Sequence, residues 1–233
     1  MTEINSRLSG RNGRAWIRLA VAAFCGLLAL FSGVLAMREL AAIKVSRYEE
    51  SRLILGFAQP GYELPSALGI LTSNQTMNNC ANAQFSFVAG LMAGPTVDRA
   101  ASACAAAAED LLARAPAHGM AYVNRAISAA RSGDYALMNE QLRLSQLSSP
   151  VEGGVATFRL LVAMPRFADL EPATKESLAQ DVVMMSFDRQ LISRLAQNYV
   201  ATPLARGWLE DIIDRQSEQV QADFLTAVRR VSG

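Results

Sequence analysis

The chain has 233 residues, 51% of them hydrophobic, and its 22 lysines and arginines almost balance 21 acidic residues. That balance excludes the basic excess expected of a nucleic-acid-binding surface and the acidic run of a solvated tail. With one histidine and three cysteines, there is no CxxC and no His or Cys cluster at metal-ligand spacing.

The first element is the run Leu19 to Met37, LAVAAFCGLLALFSGVLAM, which carries no charge. Nineteen helical residues rise roughly 28 Å, close to the ~30 Å hydrocarbon core of a bilayer, and lipid forces such a run to be helical. It predicts a transmembrane helix over 15–38, flanked by Trp16 and Arg18, after a short cytoplasmic tail over 1–14. A cleaved signal peptide is the competing reading, since Val34-Leu35-Ala36 offers small residues at a cleavage site. The run exceeds the usual 7 to 15 residues of such a segment. Phe24 before Cys25 is too large for a lipoprotein signal.

Orientation follows from loop charge and length. Arg7, Arg11, Arg14 and Arg18 precede the run, while Arg38, Lys44, Arg47 and Arg52 follow it. The positive-inside count is nearly level, and Glu39, Glu49 and Glu50 weigh little in it. A short tail before a long domain favours the tail inside, which places the bulk of the chain outside the cytoplasm on a single-pass inner membrane anchor, in the periplasm if the cell is Gram-negative. Ala22, Gly26, Ala29, Gly33 and Ala36 recur at spacings of four and three, one stripe of small side chains on which a second helix or another copy of this chain could pack.

After Met37 the apolar residues Leu40, Ile43, Tyr48, Leu53 and Ile54 alternate with charged ones, so the helix is expected to continue as an amphipathic stalk. Gly56, Pro60, Gly61 and Pro65 break it. Residues 39–76 read as juxtamembrane stalk and linker, with a short helical turn around 65–71. Asn74-Gln75-Thr76 matches a glycosylation sequon, a match that chance explains.

Residues 77–233 read as an all-α extracytoplasmic domain rich in Ala, Leu, Arg, Gln and Glu and poor in β-branched runs. Phe85, Val88, Leu91 and Met92 share helical spacing up to Gly94-Pro95, after which Thr96 is expected to cap a helix to Ala115. Further helices are predicted over 120–131 and 135–147, joined by a tight turn at Ser132-Gly133-Asp134. Ser149-Pro150-Val151-Glu152 has the residues of a capping box with Pro at the first helical position. Helices over 151–164, 172–185, 187–200, 202–216 and 217–231 complete the chain.

Pro116 and Pro150 stand 34 residues apart, each after an Ala- or Leu-rich helix. In the unit Gly119 to Glu152, Tyr122 takes the first large aromatic position, Ala126 the small one, Gly133-Asp134-Tyr135 the inter-helix turn, and Leu142 and Ser145 the large and small positions of the second helix. That unit resembles a tetratricopeptide repeat, whose period is 34. It departs from the pattern at Arg125, Ala129 and Met138; Pro95 and Pro172 interrupt the flanking units. The resemblance implies a solenoid or irregular bundle of helical hairpins whose concave surface holds partner proteins, with Tyr122, Asn124, Arg125, Ser128 and Arg131 as contact residues.

Cys80 and Cys104 form an even pair outside the membrane. A disulfide between them would close a loop worth roughly 3 kcal/mol. If the chain simply turned at Gly94-Pro95, Cys104 would lie opposite Ser86, about 9 Å along the axis from Cys80 at helical rise, so two buried free thiols remain the alternative. His118 follows Pro116 in a turn and reads as solvated. Glu109-Asp110 and Glu210-Asp211 are helix neighbours that face different ways, and Tyr199 and Trp208 read as core. No nucleophile elbow or phosphate-cradling loop occurs. No catalytic, cofactor or metal residue is therefore expected. Two functions remain: a protein-interaction scaffold at the cell envelope, or a small accessory subunit of an envelope-polysaccharide, secretion or transport complex held through its transmembrane helix.

Overall fold

The computed structural model describes the backbone of residues 3–46, 50–65 and 67–233, and the side chains of 16–44, 52–65 and 67–233. Arg47, Tyr48 and Glu49, and the side chains of Arg7, Arg11, Arg14 and Glu50, lie outside the described residues. Those described are all-α, with no strand among them.

One helix, α1 (Glu3–Ser46), runs through the apolar stretch without a break. Its segment Trp16–Lys44 has the length and mean hydropathy, 2.4, to cross a membrane. Every described side chain from Trp16 to Val34 is exposed, so none of this surface is buried against the described residues. Contact with the rest of the chain begins at Leu35 and Glu39, half-buried, and continues through Ala42, which is buried.

The amphipathic stretch beyond α1 does not form a free stalk. It continues as α2 (Glu50–Ala58), whose Leu53, Ile54 and Phe57 are buried in a small core with Cys80, Ala83, Val97, Ala100 and Cys104. The chain turns at Gly61, at φ 74°, where a residue with a side chain would be strained.

Residues 70–76, expected as the end of the linker, are instead the first half of helix α3 (Ile70–Gln84). Its composition suggests a loop because Asn, Ser and Thr compete for backbone bonds. Here their partners come from within the helix and from its neighbours: Thr76 Oγ1 donates to the Thr72 carbonyl, Gln84 Nε2 to the Cys80 carbonyl, and Asn124 Nδ2 to the Met77 carbonyl. A helix that looks solvated by composition is mostly buried.

A short helix, α4 (Phe87–Leu91), capped by Ser86 Oγ, leads to α5 (Gly94–Leu112). Thr96 is not the cap of α5; it lies buried in the first turn, which starts at Gly94 without a side-chain cap. The detour through α4 replaces a simple hairpin turn and brings the two cysteines level. Cys80 and Cys104 are disulfide-bonded, their Cα atoms 5.9 Å apart.

Next come α6 (Gly119–Ser132) and α7 (Tyr135–Ser148), an antiparallel pair joined at Gly133, whose φ of 80° ends α6 before Asp134 caps α7. The following start departs from expectation. Helix α8 (Gly153–Ala163) begins at Gly153 and has no side-chain cap; Ser149 Oγ donates to Glu152 Oε1 at 2.9 Å, so the two residues bond to each other and not to the orphan N–H groups.

After a 3₁₀ segment at Met164–Asp169 come α9 (Pro172–Ser186), α10 (Leu191–Ala201) with Asp188 Oδ1 accepting from the Leu191 N–H, α11 (Arg206–Ile213) and α12 (Glu218–Ser232) capped by Ser217. The Thr202-Pro203 start forms a separate 3₁₀ turn, Pro203–Ala205, before α11.

Two rows result. In one, α3 packs on α6, α6 on α8 and α8 on α10; in the other, α7 packs on α9 and α9 on α11. Their facing sides form one apolar core from Met77 to Ala227, and α12 closes it against α10.

Candidate functional site

The residues expected to line a partner surface on α6 do not act together. Tyr122, Arg125 and Ser128 lie three residues apart and form a half-exposed ridge. Tyr122 bends back to donate its hydroxyl to the Pro116 carbonyl at 3.0 Å. Arg131 is exposed and paired with Asp98 of α5, 2.7 Å between charged atoms.

Asn124 was expected on the exposed side and is fully buried. Its Nδ2 donates at 3.0 Å to the carbonyls of both Met77 and Met120, tying α3 to α6. Met120 and Ile127, four residues before and three after, share its helix face and are buried with it, so the apolar period already turns Asn124 inward, against the tetratricopeptide-like placement.

His118 also departs from expectation. Half-buried, it caps α6: Nδ1 accepts from the Ala121 N–H at 3.2 Å, and Nε2 lies 2.5 Å from Asn74 Oδ1 on α3. Those roles require a neutral ring with its proton on Nε2. Burial pushes its pKa below the ordinary histidine value. The imidazole is committed on both nitrogens.

The stripe Ala22, Gly26, Ala29, Gly33 and Ala36 lies on the exposed part of α1, and an added Cβ at Gly26 or Gly33 would meet nothing within 4 Å. Cys25 is a free, exposed thiol on the same helix.

Among the clefts that open on the helical stack, three have mainly apolar walls. Beside Arg131, a recess of about 220 Å³ lies between Phe85, Ile127, Leu161 and Pro165. On the opposite row, a broader groove of about 480 Å³ runs between Val151, Val183, Met184 and Ile212, with Gln180 and Arg215 at its edge. Val151 is 79% exposed at its mouth. A third cleft, about 320 Å³, lies where the 62–67 segment meets α3 and α5, lined by Tyr62, Leu64, Ser73, Met77 and Arg114.

The groove at Val151 was not anticipated, although α9 carried a signal. Leu178, Val182 and Met185 are buried, while Ala179, Val183 and Met184 pack only partly against the core. A helix apolar on two faces has more apolar surface than one core accepts.

Chemistry is sparse. No group of three or more His, Cys, Asp or Glu side chains among the described residues is arranged to hold a metal ion. Of the acidic pairs, Glu210 accepts from the Tyr199 hydroxyl at 2.5 Å, which pushes the phenol pKa up. Tyr199 packs edge-on against Phe224 at a centroid distance of 5.5 Å, and Trp208 lies tilted against Phe167 at 5.6 Å. The fold and its clefts define an all-α stack of helical pairs carried on one long apolar helix. No family model, characterised protein or solved structure matches the chain in comparison.

Proposed function

We propose that this chain is a non-enzymatic, membrane-anchored helical scaffold that holds a partner protein at the cell envelope. The observation that carries the reading is the pairing of a long apolar helix, exposed from Trp16 to Val34, with a folded stack that leaves an apolar groove open at Val151, Val183, Met184 and Ile212. Methionine at such a surface adapts to more than one apolar contour. The occupant that suits it is an apolar helical or extended segment of another protein, with an acidic residue to meet Arg215.

The bulk of the chain is proposed to lie outside the cytoplasm, with α1 in the inner membrane. The Cys80–Cys104 bond supports this orientation, because such bonds persist in oxidising compartments. The tetratricopeptide-like reading of residues 119–152 is supported by the α6–α7 pair and its Gly133 turn. It places the open ridge Tyr122, Arg125 and Ser128 on a second candidate contact surface.

A photo-crosslinking residue at Val151 or Met184 in the full chain, expressed in its own membrane, should trap a discrete partner. Trapping that persists unchanged with Val183→Asp and Ile212→Asp would count against the groove. The second reading, an accessory subunit held through α1, is favoured by the open surface at Gly26 and Gly33. Gly26→Leu and Gly33→Leu should then abolish co-purification that groove substitutions leave intact.

A further inference from the structure

The entry to α3 carries three exposed apolar side chains, Leu68, Ile70 and Leu71, at 38%, 54% and 81% exposure. They do not sit on a mobile tip. Glu39 of α1 holds this corner from one side, its Oε2 accepting from the Leu68 N–H at 2.8 Å and the Gly69 N–H at 3.1 Å. Arg114 of α5 holds it from the other, donating to the Ala67 and Leu68 carbonyls at 3.0 and 3.1 Å. The corner is therefore fixed in height along α1.

That height coincides with the end of the apolar run. The charge-free stretch closes at Met37, and Glu39 is two residues further. Side chains on a helix tilt toward its N-terminus, so the Glu39 carboxylate points back toward the run. Leu35, inside the run, is the first described side chain of α1 to be half-buried, and Ala42 beyond it is buried. The folded head thus rises away from the run along α1, and its lowest edge overlaps the last turn of the run. Met37 and Leu40 are exposed apolar neighbours at the same level, with exposed Arg38 between them and exposed Lys44 one turn above Leu40.

We propose that Leu68, Ile70 and Leu71 form an interfacial membrane contact, a second point at which the protein meets the bilayer crossed by α1. It rests on the reading of α1 as a membrane span. The occupant is the headgroup and upper acyl region of the same leaflet, since the corner is tied to Glu39, two residues past the end of the run. With two points of contact, the anchor and the corner, the head would not swing freely on α1, and the clefts of the stack would stand at a set height and angle above the membrane.

The test uses the full chain with Cys25→Ser in phospholipid vesicles, nitroxide-labelled in turn at Leu71→Cys, Leu27→Cys and Leu225→Cys. Collision with oxygen, which concentrates in hydrocarbon, is compared with collision with a water-soluble nickel chelate. The expected result is a severalfold higher oxygen-to-chelate ratio at position 71 than at position 225, an exposed site on α12, with position 27 higher still. A ratio at 71 equal to that at 225, while 27 reads as hydrocarbon, overturns the interfacial contact but leaves the span standing. A label at 71 shielded from both reagents marks a protein contact there, a second copy of this chain included, and also overturns it. An aqueous reading at 27 removes the span and the proposal with it.

Discussion

Arg159 of α8 and Asp181 of α9 meet as a two-bonded fork, 2.7 Å from Nε to Oδ2 and 2.6 Å from Nη2 to Oδ1, and neither side chain has any solvent exposure. The same guanidinium donates at 3.2 Å to the carbonyls of Ser145 and Ser149, so α7, α8 and α9 converge on one cation. Burial pushes the Asp181 carboxyl up from its ordinary range, against the downward pull of the Arg159 fork.

Arg159→Met should cost about 3 to 5 kcal/mol, because it strands a buried carboxylate, whereas a buried pair replaced as a whole is often neutral. Arg159→Met combined with Asp181→Leu is therefore expected to recover part of the loss, the Ser149 carbonyl still lacking its donor. Urea unfolding of both variants in detergent, followed by helical circular dichroism, measures the difference.

Asn124 and Arg125 are neighbours with opposite duties. Asn124→Ala removes both donors to the Met77 and Met120 carbonyls in a buried site and should cost about 1 to 3 kcal/mol. Arg125→Ala, on the half-exposed ridge, is expected to stay within about 0.5 kcal/mol. Thermal melting separates the two.

His118 gives the fold a pH dependence. Its folded pKa is depressed by burial, so the unfolded chain binds a proton first as pH falls. The cap's contribution is complete above the ordinary value of about 6.5 and is lost as pH drops from there through the depressed folded value. His118→Asn, which keeps a capping oxygen but does not titrate, should flatten this window in melts taken between neutral and mildly acidic pH.

Reduction of Cys80–Cys104 opens a loop with a sequence separation of 24. The expected loss is roughly 3 kcal/mol, confined to the small core around Leu53, Ile54, Phe57 and Val97. Hydrogen exchange with and without reductant should show α2 and the first half of α5 losing protection before α9 and α10.

Gly69 leaves room for the Glu39 carboxylate: an added Cβ there would stand 2.6 Å from Glu39 Oε1. Glu39→Ala and Gly69→Ala should each loosen α1 from α3, while Glu39→Gln keeps an acceptor for the two N–H groups. Distance distributions between spin labels on the two helices are expected to broaden with both alanines and stay narrow with glutamine.

Much of the helical order was readable along the chain. From Met120 onward, Gly133, Asp134, Pro172 and Ser217 mark starts and stops that depend on one residue's own dihedral freedom or capping oxygen, and such local signals survive into the fold. Some misreadings are local, such as the caps expected at Thr96 and at Ser149; others come from partners far along the chain. Residues 70–76 look like linker, Asn124 like a surface residue and His118 like a solvated turn, and in each a polar group finds its partner on a helix distant in the chain: Asn124 at Met77, and His118 and Asn74 at each other.

By itself the sequence determined a charge-free run long enough to cross a bilayer and an all-α chain behind it, since both follow from composition, length and period. Only the tertiary structure decided which polar groups are buried, how the detour through α4 levels Cys80 with Cys104, and where Glu39 grips the start of α3. Those depend on contacts between residues 24 to 47 positions apart, which no local propensity encodes.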